Sequence, residues 1–329
     1  MGRRIVFPAR GAVALQPLEP RPPAPGEVQV RTLYSLVSIG TETTILHAKY
    51  APGTHFAARF SFPQLKTGVQ SVAVVEALGA GVEEFAPGQH IFMRMGHVSH
   101  WTLDAAQCSA LPADTELKAA CWCGLAKTAF RAAHAAPFRL GGSVLVIGAG
   151  PVGQMAVRWG RAAGMQTIVV VDLPALRLEL ARAGGATACV RGDIAAVRAA
   201  LLEQSPGGFP LVVDTTGNAA VFEQALGVAA RFGRVVLLGD SGFPGEQRLS
   251  SDLITRGLEV VAVHDHNDRD GWTQRRIDAL FFSLRSRGTF ALDGLLTHEF
   301  APEECVAAYA LASERRAQAL GILFDWTRG

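Results

Sequence analysis

The sequence predicts an α/β chain in which a β-rich segment precedes a doubly wound parallel sheet. Three observations predict it. From Gly142 to about Val263, short apolar, β-branched runs alternate with helix-like stretches, the pattern of a parallel sheet with helices on both faces. From residue 1 to about 117, short strand-like runs separated by Pro and Gly turns suggest a small barrel. At 329 residues the chain exceeds one compact core and suits two domains.

In order, Arg4 to Phe7 and Ala12 to Gln16 read as a hairpin. The loop Arg21-Pro22-Pro23-Ala24-Pro25-Gly26 launches a strand over Glu27 to Ser35. Ser71 to Leu78, the turn Gly79 to Val82 and the run around Ile91-Phe92 read as strand, turn and strand. Lys118 to Ala133 is Ala-rich with a spaced apolar stripe and reads as a helix. Leu211 to Asp214, Arg234 to Leu238 and Val260 to Val263 are further strands of the parallel sheet. After Asp293 the chain returns to mixed strand and helix, finishing at Leu320 to Trp326.

Composition narrows the function. Apolar residues make up 49%, charged residues 18%, and the formal net charge is +2, without a run of Lys or Arg that would suit a polyanion partner. The opening MGRRIVFPARGAVAL has no long apolar core, so neither a signal peptide nor a membrane span is expected. Five scattered cysteines suit free thiols in a reducing cytoplasm.

The chain is organised around Ser143 to Asp172. Val144 to Ile147 is an apolar run, followed at once by Gly148-Ala149-Gly150-Pro151-Val152-Gly153, a helix-like segment and a second apolar run, Thr167 to Val171, ending in Asp172. In a dinucleotide site the first glycine permits the tight turn, the second admits the pyrophosphate and the third lets helix pack on strand. The helix start at Pro151 and Val152 offers free N–H groups and the positive end of a dipole to phosphate. Asp172, 19 residues past Gly153, stands where an acid accepts from the adenosine ribose hydroxyls. A carboxylate there repels a 2′-phosphate. Leu173, Pro174 and Ala175 follow, and Arg177, at the start of the next helix, is the nearest cation, so NAD is expected over NADP. Thr215-Thr216-Gly217 and Leu238-Gly239-Asp240 follow strand ends, on the side where α/β sheets bind ligands.

Four stretches resemble the medium-chain dehydrogenase/reductase superfamily, the alcohol dehydrogenase-like group: residues 23–42, 74–91, 144–157 and 212–239, with an ending at 308–326. The resemblance spans the chain. It implies a GroES-like β-barrel catalytic domain over 1–117, rejoined by 291–329, and a Rossmann NAD-binding domain over 118–290. It also implies hydride transfer at nicotinamide C4, with the backbones at Thr216 and Gly239 along the adenosine and nicotinamide riboses, and a homodimer or homotetramer.

The departures matter most. Zinc-dependent members place a Cys before a Ser/Thr-Asp pair, then a Gly-His-Glu. Here Val37-Ser38-Ile39-Gly40-Thr41-Glu42 has no Cys, and Gly68-Val69-Gln70 has Val and Gln for His and Glu. A catalytic zinc needs about three protein ligands. Cys121 or Cys123 alone cannot hold one, and no cluster of four cysteines exists for a structural zinc. His97-Val98-Ser99-His100 and His264-Asp265-His266 are read as surface or site-lining histidines, so no metal is expected.

Without zinc, a polar group must take the hydroxyl proton and steady the alkoxide. Thr41 matches the family's proton-relaying Ser/Thr, and Glu42 an acid that supports the metal shell. His264 follows the last sheet strand and is the leading general acid or base, with His47 and Lys49 as weaker candidates. Gln70, at a former ligand position, would hydrogen-bond a carbonyl or hydroxyl. The expected function is a zinc-independent, NAD-dependent interconversion of a secondary alcohol and a ketone on a small molecule. A quinone- or enoyl-type C=C reductase and a non-catalytic dinucleotide-binding protein are the alternatives.

Overall fold

The computed structural model describes residues 1–328. Its centre is a six-stranded parallel sheet, edge to edge Ala188–Arg191, Thr167–Asp172, Ser143–Ile147, Phe209–Asp214, Ala229–Leu237 and Glu259–Ala262. The chain enters at Ser143–Ile147, winds outward to one edge, returns beside it and winds to the other. The crevice at that reversal is where such sheets bind ligands. Period two explains the buried entry strand. Val144 and Val146 join one hydrophobic cluster and Leu145 and Ile147 another, so helices cover both faces.

The β-rich part forms two sheets. Ala14–Leu18, Gly2–Phe7 and Leu65–Lys66 make a three-stranded sheet. The larger sheet has seven strands, ordered Leu296–Phe300, Gly321–Asp325, Glu27–Leu36, Ser71–Leu78, His90–Met93 and Cys108–Ala110, with His100–Asp104 also paired to Glu27–Leu36. Gly321–Asp325 lies antiparallel to Glu27–Leu36, so the end of the chain completes the sheet begun near its start.

Two expectations shift. The opening hairpin pairs Gly2–Phe7 with Ala14–Leu18, in a register that sets Arg4 against Gln16. The helix expected over Lys118 to Ala133 is two, Leu117–Ala120 and Cys123–Ala135. Cys121 and Trp122 donate to Lys118 and Ala119, an i to i−3 turn that tightens the backbone and sends the Trp122 ring into the core, 0% exposed. No helix among the described residues is long and apolar enough to cross a membrane.

Candidate active site

The glycine turn sits at the carboxyl end of Ser143–Ile147. Gly148 has φ +86°, and a Cβ on Gly153 would lie 1.9 Å from the Gly148 carbonyl oxygen, so helix and strand touch here only through glycine. Helix Pro151–Ala162 begins with Pro and has Gly150 as its N-cap, with no side chain on the first-turn amides. Those donors are left for an anion.

Asp172 closes one side. Its Oδ2 accepts the Ala149 N–H at 2.8 Å and its Oδ1 the Leu173 N–H at 2.7 Å. Arg177 Nη1 lies 3.9 Å from Asp172 Oδ2. It is also 4.0 Å from where a Cβ on Gly150 would be, so the guanidinium borders the glycine turn. Burial lowers the Arg177 pKa, partly offset by Asp172. Arg177 Nη2 donates to the carbonyls of Arg316 at 2.5 Å and Ala319 at 3.3 Å, tying the C-terminal segment to this turn. The linear reading missed one cation: Arg191 stands in register with Asp172 on the neighbouring strand.

The opposite wall comes from the next two strands. Thr215 Oγ1 donates to the carbonyls of Ile147 at 2.9 Å and Gly148 at 3.0 Å. Asp214 Oδ1 accepts the N–H of Thr216 at 2.8 Å and its hydroxyl at 2.7 Å. Burial nevertheless pushes the Asp214 carboxyl up to about 6. A Cβ on Gly239 would lie 2.3 Å from the Gly217 nitrogen, so the loops carrying Thr216 and Gly239 are in contact.

On the β-rich side, helix Ile39–Leu46 carries Thr41 and Glu42. Ser38 Oγ donates to Thr41 Oγ1 at 3.4 Å, a long contact that leaves the hydroxyl available. Glu42, a candidate that could pair with a base or simply form a salt bridge, is the hub of a buried network that faces protein groups. Its Oε1 accepts the Ser38 N–H at 2.7 Å. Its Oε2 accepts from Thr67 at 2.7 Å, Tyr309 at 2.5 Å and His97 Nε2 at 3.1 Å. Burial alone would raise this carboxyl, but His97 and the hydroxyls of Tyr309 and Thr67 outweigh it and hold it below its ordinary value. His97 Nδ1 meets Ser35 Oγ at 2.7 Å, which also accepts the Trp326 indole N–H at 2.8 Å. Sequence reasoning placed His97 on the surface or lining a site; it is 0% exposed.

Gln70 is buried too. Its Nε2 reaches the Leu36 carbonyl at 3.5 Å and its Oε1 has no partner. Arg94 Nη1 is likewise buried without one, while Nη2 donates to Asp265 Oδ2 at 2.6 Å. Lys127 Nζ lies 3.4 Å from Asp265 Oδ1, and Thr128 donates to that oxygen at 3.2 Å. Burial raises the Asp265 carboxyl, but Arg94 and Lys127 bring it below its ordinary value.

His264, beside Asp265, is half-exposed, with Nε2 3.9 Å from Asp240 Oδ2. His55 Nε2 approaches the same oxygen at 2.9 Å. His55 did not stand out in the sequence, and Asp240 did so only as the end of Leu238-Gly239-Asp240, because 185 residues separate them and only folding brings them together. His47 is turned to Ser313 Oγ, at 2.9 Å.

A family model described as zinc-binding dehydrogenase matches residues 151–281, from the start of helix Pro151–Ala162 through five of the six strands of the parallel sheet. This match and the relatives below support the likeness to the medium-chain dehydrogenase/reductase superfamily, alcohol dehydrogenase-like group, that the sequence motifs carry. An L-threonine 3-dehydrogenase of Anaeromyxobacter dehalogenans (strain 2CP-C) is 30% identical over 191 residues, 57% of this chain and 52% of that protein. The L-threonine 3-dehydrogenase of Bacillus subtilis (strain 168) is 30% identical over 52% of this chain and 48% of its own. The chain thus spans about half the length of these curated relatives. Among solved structures, 2R,3R-butanediol dehydrogenase from Bacillus subtilis has a TM-score of 0.82 at 18% identity, covering 99% of both chains. An Escherichia coli CFT073 alcohol dehydrogenase complexed with NADH has a TM-score of 0.83 at 18% identity, again over 99% of both.

The superfamily's zinc does not fit this chain at the positions the resemblance assigns to it. Ile39 is 1% exposed within an apolar cluster, and Val69 and Gln70 offer neither imidazole nor carboxylate. Cys123 donates its thiol proton to Asp278 Oδ1 at 3.1 Å, and burial with Asp278 raises its pKa. Cys121 is fully buried and its pKa is also raised. Neither is poised as the thiolate a metal takes. The dinucleotide of the superfamily does fit: the uncapped helix start, Arg177 and Asp172 supply what pyrophosphate and ribose require.

Proposed function

We propose that this chain is a nicotinamide-dependent oxidoreductase that interconverts a secondary alcohol and a ketone without zinc at the superfamily's ligand positions. The observation that carries the reading is the uncapped start of Pro151–Ala162, bordered by Arg177 and Asp172 at the crevice of the parallel sheet. The named relatives are dehydrogenases of small hydroxyl compounds, which supports the same class. The bound nicotinamide supplies a hydride acceptor at C4. This chain's residues handle the proton: Thr41 accepts it from the substrate hydroxyl while passing on its own, and His264, 3.9 Å from Asp240, exchanges it with solvent. Gln70 keeps its unpaired Oε1 buried beside Gly124. Asp172 favours NAD, and Arg191 works against that preference.

The working form in this reading is a homodimer or homotetramer. Edge strand Glu259–Ala262, with Val260 38% exposed, supports it, beside Phe232 and Ile254 at 72% and 86%. Light scattering of the purified chain tests that point. Thermal shift with NAD(H) and NADP(H) tests the cofactor, since a ligand of the native state raises the melting point by mass action. An NADH-oxidation screen of chelator-treated enzyme over ketones and enones then tests the chemistry. Ketone turnover is expected. Turnover of enones alone would replace the reading with C=C reduction, and no cofactor shift would end it.

A further inference from the structure

We propose that His55, Asp240 and His264 form a binding site for one divalent transition-metal ion at the rim of the cleft, apart from the positions where the superfamily holds zinc. Three distant segments deliver the ligands: the short helix His55–Arg59, the loop after Ala229–Leu237 and the loop after Glu259–Ala262. One donor atom from each lies within 4.8 Å of the other two. His55 Nε2 is 2.9 Å and His264 Nε2 3.9 Å from Asp240 Oδ2. Metal–ligand bonds of about 2.1 Å at tetrahedral angles set donors about 3.4 Å apart, so shifts of roughly an ångström close the site. Side chains exposed to 51%, 39% and 41% have that freedom.

Two imidazoles and one carboxylate form a borderline donor set with open positions for water. It suits Zn²⁺, Co²⁺, Ni²⁺ or Fe²⁺ and not Mg²⁺ or Ca²⁺. Coordination through His264 Nε2 moves the ring proton to Nδ1 and displaces the 3.3 Å contact from the His266 N–H. Arg59 Nη1 lies 3.1 Å from Nε2 of His266, two residues along from His264, and brings a positive charge to this loop. The site goes beyond the hydride-transfer reading and touches it at one atom. An ion on His264 Nε2 occupies the lone pair that reading uses, so the loaded enzyme turns over more slowly.

The test uses the full chain, stripped with a chelator and titrated with Co²⁺. One equivalent is expected, with a visible d–d spectrum lacking a thiolate charge-transfer band. Both H55Q and D240N, changes at exposed side chains, are expected to weaken binding by more than about tenfold while leaving the apo melting point unchanged. A thiolate band, wild-type affinity in either variant or no stoichiometric binding would overturn the proposal. The NADH thermal shift of the stripped protein reports separately on the dinucleotide reading, so either can fail alone.

Discussion

His97 Nε2 lies 3.1 Å from Glu42 Oε2, with the two side chains only 0% and 2% exposed. Around this pair the helix Ile39–Leu46, the turn at Thr67 and the helix Cys305–Glu314 are joined through one carboxylate oxygen. Gly68 makes room for it: a Cβ there would sit 2.6 Å from the His97 backbone nitrogen.

Replacing that carboxylate with an amide removes the charge facing His97 and leaves one accepting oxygen where there were two. Glu42→Gln is therefore expected to destabilise the fold by about 3–5 kcal/mol, the range for breaking a buried pair. Urea unfolding followed by tryptophan fluorescence measures it. The sign in pH follows from a carboxyl held below its usual value of 4.5. The stabilisation is present above the unfolded-state pKa and lost as pH falls through the lower folded value. Wild type should lose stability on acidification below about pH 4.5, and the variant should lose less.

Tyr309→Phe deletes one hydroxyl donor to the same carboxylate and should cost about 1.5–3 kcal/mol. Combined with Glu42→Gln, the two losses should sum to more than the double variant shows, because both act on one oxygen. Strict additivity in a double-mutant cycle would mean that the contact is not formed.

Gly153→Val drives a side chain into the Gly148 carbonyl, where even a Cβ would stand at 1.9 Å. The helix start must move off the strand. The melting-point rise produced by NADH should vanish, whereas Gly245→Ala, which meets nothing within 4 Å, should keep it.

Asp172→Asn keeps an acceptor for the Ala149 N–H but removes the charge facing a 2′-phosphate. With Arg191 in register beside it, the Kd ratio of NADPH to NADH should fall about tenfold, or roughly 1.4 kcal/mol. An unchanged ratio in fluorescence titration would show that this charge does not select the cofactor.

Asp214 titrates the other way. Burial raises its carboxyl from 3.8 to about 6, so the stability it lends is complete below pH 3.8 and lost as pH rises through 6. Asp214→Asn keeps an oxygen for Thr216 and cannot ionise. It should gain on the order of 2–3 kcal/mol at pH 7.5 relative to wild type, and nothing at pH 4. Paired melts at the two values decide it.

The parallel sheet was legible because its signals are local. An apolar run buried on both faces, a glycine turn and an acid at the next strand's end are short-range constraints, and the strands ending at Ile147 and Asp172 stand where they were expected. Arg177 was legible for the same reason, one turn into the following helix. That no Cys stands at Ser38 or Ile39, and neither His nor Glu at Val69 and Gln70, was readable as residue identity alone. Cys121 and Trp122 were harder: a continuous apolar stripe does not show where a buried indole will tighten the backbone.

What only the tertiary structure decided is which polar groups meet. Glu42 with His97 and Tyr309, and His55 with Asp240 and His264, are separated by tens to hundreds of residues. No periodicity links their positions, since their encounter depends on strand order and on the last strand returning to the first sheet. Backbone preference and burial pattern act over a few residues and determined the elements. Charge pairing acts through space, and space is fixed only once those elements have packed.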